Sequence, residues 1–214
     1  SYSSPTIAKL GDKSVGLYFA RGGLLGFDPE AGKELFHFPW RAKILESVNA
    51  ANPLVVGDSV LITECYGHGA AFVKIADNKP TEVWSDVARE RFEQALLGHW
   101  CTPVRDGKVA YGCSGRHTEE AELRCINLAD GEVLWREKRT TRCTLLRIDG
   151  HILSLGEYGE LRLFKLNPEK YEPVAKWESP DLSNPAWAPP VVSRGRLYLR
   201  GKGKLVCYDF KKPG

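Results

Sequence analysis

Short stretches of alternating apolar and polar residues recur along the chain, separated by turns rich in Gly, Asp and Asn. The clearest copy spans residues 122–135, where Leu123 and Cys125 alternate with polar residues, a turn ends at Gly131, and alternation resumes towards Trp135. A period of two is typical of β-strands that bury one face, and Gly adopts the positive φ that tight turns require. This stretch therefore predicts a β-hairpin.

The hairpin belongs to a repeat. Residues 24–36 form a second copy, and in both copies an Asn or Asp, a Gly and an aromatic residue occupy positions 0, +4 and +8. A shorter signal of apolar strand, Gly turn and apolar strand occurs five times, with its turn glycines 46, 50, 43 and 45 residues apart. Repeats of about 40–50 residues that carry several strands are typical of propeller blades.

We therefore predict an all-β protein, a β-propeller of four-stranded antiparallel blades forming one partial domain over residues 1–214. Propellers contain about 4–8 blades, so we expect this chain to be the C-terminal part of a ring of seven or eight. Its open flanks should then be covered by the N-terminal remainder or by a second copy. The pattern gives four complete blades and three strands of a fifth, at approximately residues 4–40, 52–86, 102–138, 143–178 and 189–210.

Each complete unit has a large aromatic residue on its predicted fourth strand: Phe36, Trp84, Trp135 and Trp177. A large aromatic side chain can bury about 150–250 Å², and aromatic residues that follow a structural period are usually core residues. We expect all four to pack between neighbouring blades. Separate ligand-stacking roles for these four residues are the alternative.

Two segments interrupt the strand pattern. Residues 86–97 place Val87, Phe92, Leu96 and Leu97 among charged residues, which favours a short amphipathic turn or helix. Residues 178–189 are rich in Pro, Asn, Asp and Ser and predict a loop.

Composition excludes some classes of protein. Thirty Lys and Arg residues against 27 Asp and Glu give a net charge of +3, unlike the concentrated basic face of a nucleic-acid-binding protein. The chain contains no apolar run of about 18 residues, so the sequence predicts no transmembrane segment. Met is absent, so we expect a processed product or a fragment, and any export signal would have preceded Ser1.

The six cysteines permit disulfides, but a chain of 214 residues does not need them for stability. Cys125 and Cys207 occupy matching strand positions in two repeats, and we interpret them as small buried apolar residues. A disulfide between Cys113 and Cys125, which flank one hairpin, is the alternative.

No catalytic constellation is found, and we predict neither catalytic residues nor a metal site. The chain has no Gly-x-Ser-x-Gly nucleophile elbow. Residues 201–204 lack the spacing of a phosphate-binding loop and predict a hairpin turn instead. The five histidines show no zinc-ligand spacing, and His117 is expected in an exposed loop.

The order of apolar strand, Gly turn, Gly-x-Leu strand, Asp or Asn turn and Trp resembles the pyrroloquinoline-quinone-like propeller repeat. Its best copies are residues 107–135 and 195–209. The resemblance covers nearly the whole chain and implies a fold more than an activity. The repeat also occurs in the lipoprotein scaffold of the bacterial outer-membrane assembly machinery and in exported bacterial proteins, which implies a periplasmic or secreted location.

The resemblance also points to quinoprotein dehydrogenases, which hold a quinone over the propeller axis. Their sites combine a stacking Trp, a disulfide between adjacent cysteines, and a calcium ion bound by Glu, Asn and Asp. This chain has no two adjacent cysteines and no acidic run that matches the calcium site. The resemblance therefore supplies no catalytic residues. We predict no cofactor, with pyrroloquinoline quinone and calcium as the alternative.

Connections between blades should share one face around the axial channel. Five residues that precede the first strand of a unit are candidate ligand-binding residues, because polar and aromatic groups that converge at one mouth can form a binding site. The alternative is that they cap the channel and satisfy backbone groups. The five are Asn52, His99, Trp100, Arg142 and Trp187.

The main functional hypothesis is a non-catalytic scaffold that binds a protein or an extended peptide. The alternatives are a quinoprotein dehydrogenase-like redox enzyme and a carbohydrate-binding propeller that stacks sugars on Trp100 or Trp187.

Overall fold

The computed structural model describes residues 2–210, and these form 19 β-strands in five antiparallel sheets. Sheet one contains β1 (Thr6–Leu10), β2 (Lys13–Ala20), β3 (Gly23–Phe27) and β4 (Glu34–Pro39). Sheet two contains β5 (Leu54–Val56), β6 (Ser59–Thr63), β7 (Ala70–Ala76) and β8 (Lys79–Ser85). Sheet three contains β9 (Val104–Asp106), β10 (Val109–Ser114), β11 (Glu122–Asn127) and β12 (Val133–Glu137). Sheet four contains β13 (Cys143–Ile148), β14 (His151–Gly156), β15 (Glu160–Lys165) and β16 (Pro173–Glu178). Sheet five contains β17 (Val191–Ser193), β18 (Arg196–Gly201) and β19 (Lys204–Asp209).

Within every sheet each strand pairs with the next one along the chain. The predicted hairpin of residues 122–135 is the pair β11–β12, in which Cys125 lies opposite Trp135. The third and fourth strands of all four complete sheets share a register shift at the same place in the hairpin. Such bulges increase local twist, so the sequence repeat is also a geometric repeat. The all-β propeller prediction is confirmed.

Four apolar cores lie between consecutive sheets. Leu17 and Leu24 of sheet one pack with Val60 and Val73 of sheet two. Separate clusters of buried residues join sheet two to three, three to four, and four to five. The sheets are therefore held face to face in chain order, as the blades of a propeller are.

Two fourth-strand tryptophans fasten neighbouring sheets in the same way. The indole Nε1 of Trp84 donates to the carbonyl of Leu128 at 2.8 Å, and that of Trp135 donates to Asn167 at 2.8 Å. Both carbonyls lie in the turn after the third strand of the next sheet. Gly131 in one of these turns has φ of +73°, and a Cβ there would lie 2.8 Å from the Trp84 ring. The repeat therefore needs Gly at this position for both conformation and packing.

The prediction that all four fourth-strand aromatics pack between neighbouring sheets is only partly met by Trp177, which contacts sheet five but is not buried. Phe36, Trp84 and Trp135 are at most 9% exposed, whereas Trp177 is 43% exposed and contacts the ring of Tyr208. The described strands of sheet five end with its third strand. The part of that sheet which the structure describes thus lacks the turn that covers the other two tryptophans.

The six cysteines are free thiols, so the alternative of a Cys113–Cys125 disulfide is wrong. Cys125 is buried between sheets three and four, as predicted. Cys207 is exposed, which contradicts its expected burial. It lies on β19, which has no fourth strand beside it within residues 2–210.

Residues 86–97 form a series of turns, so a helix is the wrong alternative for this segment. Asp86 is fully buried, and its carboxylate accepts hydrogen bonds from the backbone of Ala70 at 2.8 Å, Ala95 at 2.8 Å and Leu96 at 3.4 Å. These bonds hold the segment against sheet two in a non-helical path. Within residues 2–210, the helical structure consists of one 3₁₀ turn at Thr118–Glu120.

No helix in the described part of the chain is both long and apolar enough to cross a membrane.

Candidate functional site

The connections after the second and fourth strands of each sheet emerge at the same end, because successive strands are antiparallel. We call this end the loop face. The tight turns after first and third strands form the opposite face. The loop face consists of residues 21–22, 40–53, 64–69, 86–103, 115–121, 138–142, 157–159, 179–190 and 202–203.

A buried carboxylate shapes the loop of residues 64–69. Glu64 is 1% exposed, and its two oxygens accept the backbone N–H groups of Tyr66, Gly67, His68 and Gly69, at 3.1 Å for Gly67 and 2.9 Å for Gly69. A carboxylate that accepts several N–H groups fixes the loop without needing a cation. Sequence reasoning missed Glu64, because its partners are backbone groups that have no sequence signal.

Arg142 and Glu157 form the centre of a second cluster. The guanidinium of Arg142 donates two hydrogen bonds to the carboxylate of Glu157, at 2.9 and 2.6 Å, and lies 4.6 Å over the ring of Trp100. Thr118 also donates to Glu157 at 2.8 Å. Burial opposes ionisation of Glu157, but the hydrogen bonds from Arg142 and Thr118 outweigh it and lower its pKa. The pair is therefore a fixed, charged unit at neutral pH.

His99 joins this cluster as a neutral side chain. Its Nε2 lies 3.0 Å from the hydroxyl of Tyr66, and its Nδ1 lies 3.3 Å from Nη1 of Arg142. Burial and the positive charges of Arg142 and Arg116 lower the pKa of His99 to about 4. An imidazole held neutral between a phenol and a guanidinium serves as a hydrogen-bond link rather than as a cation.

Four of the five predicted site residues come together. The ring of Trp100 lies 4.9 Å from His99 and 5.4 Å from Trp187, and Arg142 covers its face. Trp187 remains 51% exposed. Asn52 has a different environment, because its side chain accepts the N–H of Ser4 at 2.8 Å. The backbone N–H of Asn52 donates to the hydroxyl of Thr102, two residues after Trp100.

The loop face also presents large apolar side chains to solvent. They come from four different connections. In contrast, the opposite-face turns of the four complete sheets contain no exposed large apolar residue within the described chain. The exposed residues of the loop face are Tyr2, which precedes β1, and Ile44, Leu45, Val87, Phe92, Tyr158 and Trp187.

The loop face differs in two respects from the quinoprotein site that the repeat implies. Arg142 lies over the ring of Trp100, and the rings of His99 and Trp187 pack beside it at a tilt. No group of three or more His, Cys, Asp or Glu side chains in residues 2–210 is arranged to hold a metal ion. We therefore derive no chemistry through a quinone.

Comparisons with known proteins agree with this architecture. Two computationally designed proteins with solved structures match the fold. Ika8 is 11% identical with a TM-score of 0.62, over 97% of this chain and 58% of Ika8. Ika4 is 8% identical with a TM-score of 0.53, over 84% of this chain and 99% of Ika4. The chain thus spans well under two thirds of the length of Ika8. At these identities the likeness concerns the fold alone.

BamB from Moraxella catarrhalis is also similar, at 15% identity and a TM-score of 0.48, over 97% of this chain and 70% of that protein. This score is too low to support a conclusion by itself. A search of curated proteins returned no significant match.

Fold and repeat together define a β-propeller of pyrroloquinoline-quinone-like repeats. The family model described as outer membrane protein assembly factor BamB matches residues 6–146, which is more than half of the chain. The chain belongs to this family.

Proposed function

We propose that this protein is a non-catalytic propeller scaffold that binds another protein or an extended peptide through its loop face. The observation that carries the proposal is that, among the connections of the four complete sheets, exposed large apolar side chains occur on the loop face and not on the opposite face. Leu45, Phe92 and Trp187 are 77%, 68% and 51% exposed on the loop face. Exposed apolar side chains that share one face are typical of protein interaction sites, and exposed aromatic residues supply much of the energy of such interfaces.

The polar groups of the loop face support a scaffold over an enzyme. Glu157 is bound in a bidentate pair with Arg142, and His99 lies between two partners. Neither group is free to accept a proton from a bound molecule, as a general base must. The cluster instead gives the loops a rigid shape, which lowers the entropy cost of binding.

The family description suggests the class of partner. Members are described as outer membrane protein assembly factors. We propose that the partner is an outer membrane protein or a protein that assembles one, and that the chain acts in the periplasm or after secretion.

The open edge of sheet five suggests a second contact. Within residues 2–210, β19 is the outermost strand of sheet five on that side, and Leu205 on it is 74% exposed. Unpaired strand edges promote pairing with further strands. We propose that the remainder of the same propeller or a second copy covers this edge.

Site-specific photo-cross-linking tests the proposal. A photoreactive phenylalanine analogue would replace Leu45, Phe92 or Trp187 in turn. We expect all three positions to cross-link to the same protein. Matched control positions are Glu30, Glu132 and Lys170, which are exposed on the opposite face; these should give no such product. Equal cross-linking from both faces would contradict the proposal.

The two rival functions have their own tests. Dye-linked alcohol oxidation after addition of pyrroloquinoline quinone and calcium would show an enzyme. Quenching of Trp187 fluorescence by a glycan, with no cross-linked protein, would show a carbohydrate-binding propeller.

A further inference from the structure

A cavity of about 460 Å³ opens on the loop face, between the connections of sheets two and three. Its size falls within the range of sites that bind small molecules or single side chains with their flanking backbone. Three arginines and one carboxylate line it, so its charge is positive on balance. The lining residues on which the argument depends are Ile44, Arg89, Arg91, Gln94, Arg116 and Glu120.

Two of the three arginines are already engaged. Arg91 donates to both oxygens of Glu120, at 3.0 and 3.1 Å, and to the carbonyl of Cys65. Arg89 donates to the buried carboxylate of Asp86 and to two backbone carbonyls. Their charges are therefore largely compensated within the protein.

Arg116 is different. Its guanidinium lies 4.7 Å over the ring of Tyr66. The backbone N–H of Arg116 donates to Glu120 at 2.7 Å, but the guanidinium nitrogens form no hydrogen bond or ion pair within residues 2–210. Stacking on an aromatic ring fixes the plane of the guanidinium but uses none of its N–H groups. The donors of Arg116 thus remain available, in a half-buried position on the wall of the cavity.

Gln94 supplies a complementary acceptor. It is 2% exposed, and its Nε2 donates to the carbonyls of Gly67 at 2.8 Å and Asp86 at 3.3 Å. These two bonds fix the orientation of the amide, since a flipped amide would place its oxygen against two carbonyl oxygens. The buried Oε1 then has no donor among the described residues. A buried polar atom without a partner is costly, and a ligand N–H would satisfy it.

We propose that this cavity binds a carboxylate of a peptide, with the carboxylate on Arg116 and a peptide N–H donated to Gln94 Oε1. The inference rests on the proposed peptide-binding function and names its recognition chemistry. A carboxylate matches the planar fork of the guanidinium. A phosphate fits less well, because its larger negative charge is repelled more strongly by the carboxylate of Glu120 in the same lining than a single carboxylate is. Ile44, which is 39% exposed, provides an apolar wall for a neighbouring side chain.

The test is isothermal titration of the protein with four pentapeptides. The first is acetyl-Ala-Leu-Glu-Leu-Ala-amide, and the second replaces Glu by Gln. The third and fourth are the same two sequences with a free C-terminal carboxylate. We expect a peptide with a side-chain or terminal carboxylate to bind and the uncharged peptide not to bind, and the four together identify which carboxylate is used. Inorganic phosphate is the fifth probe and should not compete.

Substitution of the arginine sharpens the test. Hydrogen bonds to charged groups contribute about 1.5–3 kcal/mol, so Arg116→Gln should weaken peptide binding roughly 10- to 100-fold. Arg200→Gln, at an exposed position on β18, is the matched control and should leave binding unchanged. Equal binding of charged and uncharged peptides, equal effects of the two substitutions, no binding of any peptide to the wild type, or competition by phosphate would each overturn the inference. Cross-linking of Leu45, Phe92 and Trp187 without peptide binding would reject this inference alone and leave the scaffold proposal standing.

Discussion

The contact between sheets three and four yields the sharpest stability prediction. Trp135 is 9% exposed and packs 5.8 Å from Tyr111 in its own sheet and 6.4 Å from Phe164 in the next, measured between ring centroids. Its indole N–H also bonds Asn167. Truncation of a buried Trp to Ala costs about 3–5 kcal/mol through lost burial and the cavity left behind. We therefore expect Trp135→Ala to lower the free energy of unfolding by about 3–5 kcal/mol.

Trp177→Ala is the matched control, because Trp177 occupies the corresponding strand of sheet four but is 43% exposed. It should cost about half as much, ~2 kcal/mol, since it buries about half of its side chain. Urea unfolding followed by circular dichroism measures both, with coincident fluorescence transitions as the check for two-state behaviour. A loss below about 1 kcal/mol for Trp135→Ala, or equal losses for the two variants, would refute the inter-sheet role of this tryptophan.

Two further predictions concern titration and thiol exposure. The pKa of His99 is about 4 in the folded chain against 6.5 for an unperturbed histidine, so between these pH values the unfolded state binds a proton that the folded state does not. Stability should therefore fall as pH drops from 6.5 towards 4, and His99→Gln should flatten this slope in urea melts; an imidazole proton that titrates near 6.5 by NMR would contradict it. Cys207 is the exposed thiol among the six, so one thiol per chain should react promptly with a disulfide reagent, and six after denaturation. Loss of the fast phase in Cys207→Ser confirms the assignment, and several fast thiols in the native protein would contradict it.

Much of the fold could be predicted from the sequence because its determinants are local and repeated. Alternation within strands, a turn glycine such as Gly131 and a tryptophan such as Trp135 each occur at fixed spacing. The structure explains that spacing, since the indole of one sheet bonds the turn of the next. One sequence repeat thus encodes both the sheet and its contact with its neighbour.

The errors have non-local causes. Trp177 and Cys207 match buried residues of other repeats, yet both are exposed, because sheet five has no fourth strand or following turn within residues 2–210. For residues 86–97 the sequence left a turn and a helix open. The turn is correct, because the Asp86 carboxylate accepts the backbone N–H groups of Ala95 and Leu96. The sequence pattern predicts the strand on which a residue lies, but it does not predict the contacts of that residue with other sheets.

The candidate site was predicted in part. His99, Trp100, Arg142 and Trp187 were predicted because each comes shortly before the first strand of a repeat unit. The structure brings these four residues together. The same position did not suffice for Asn52, whose side chain binds the N-terminal segment. Glu64, Arg116 and Gln94 were missed, because their roles arise from contacts between loops that are far apart in the chain.

The most direct test of the scaffold account is the affinity of the protein for the partner identified by cross-linking. Leu45→Ala, Phe92→Ala and Trp187→Ala would be combined in one variant, and Glu30→Ala, Glu132→Ala and Lys170→Ala in a control variant. Interface hot spots cost about 2 kcal/mol or more each when truncated, so we expect the loop-face variant to bind at least 100-fold more weakly. The control variant should bind as the wild type does. Equal affinity of the two variants, with both folded by circular dichroism, would contradict the claim that the loop face is the binding surface.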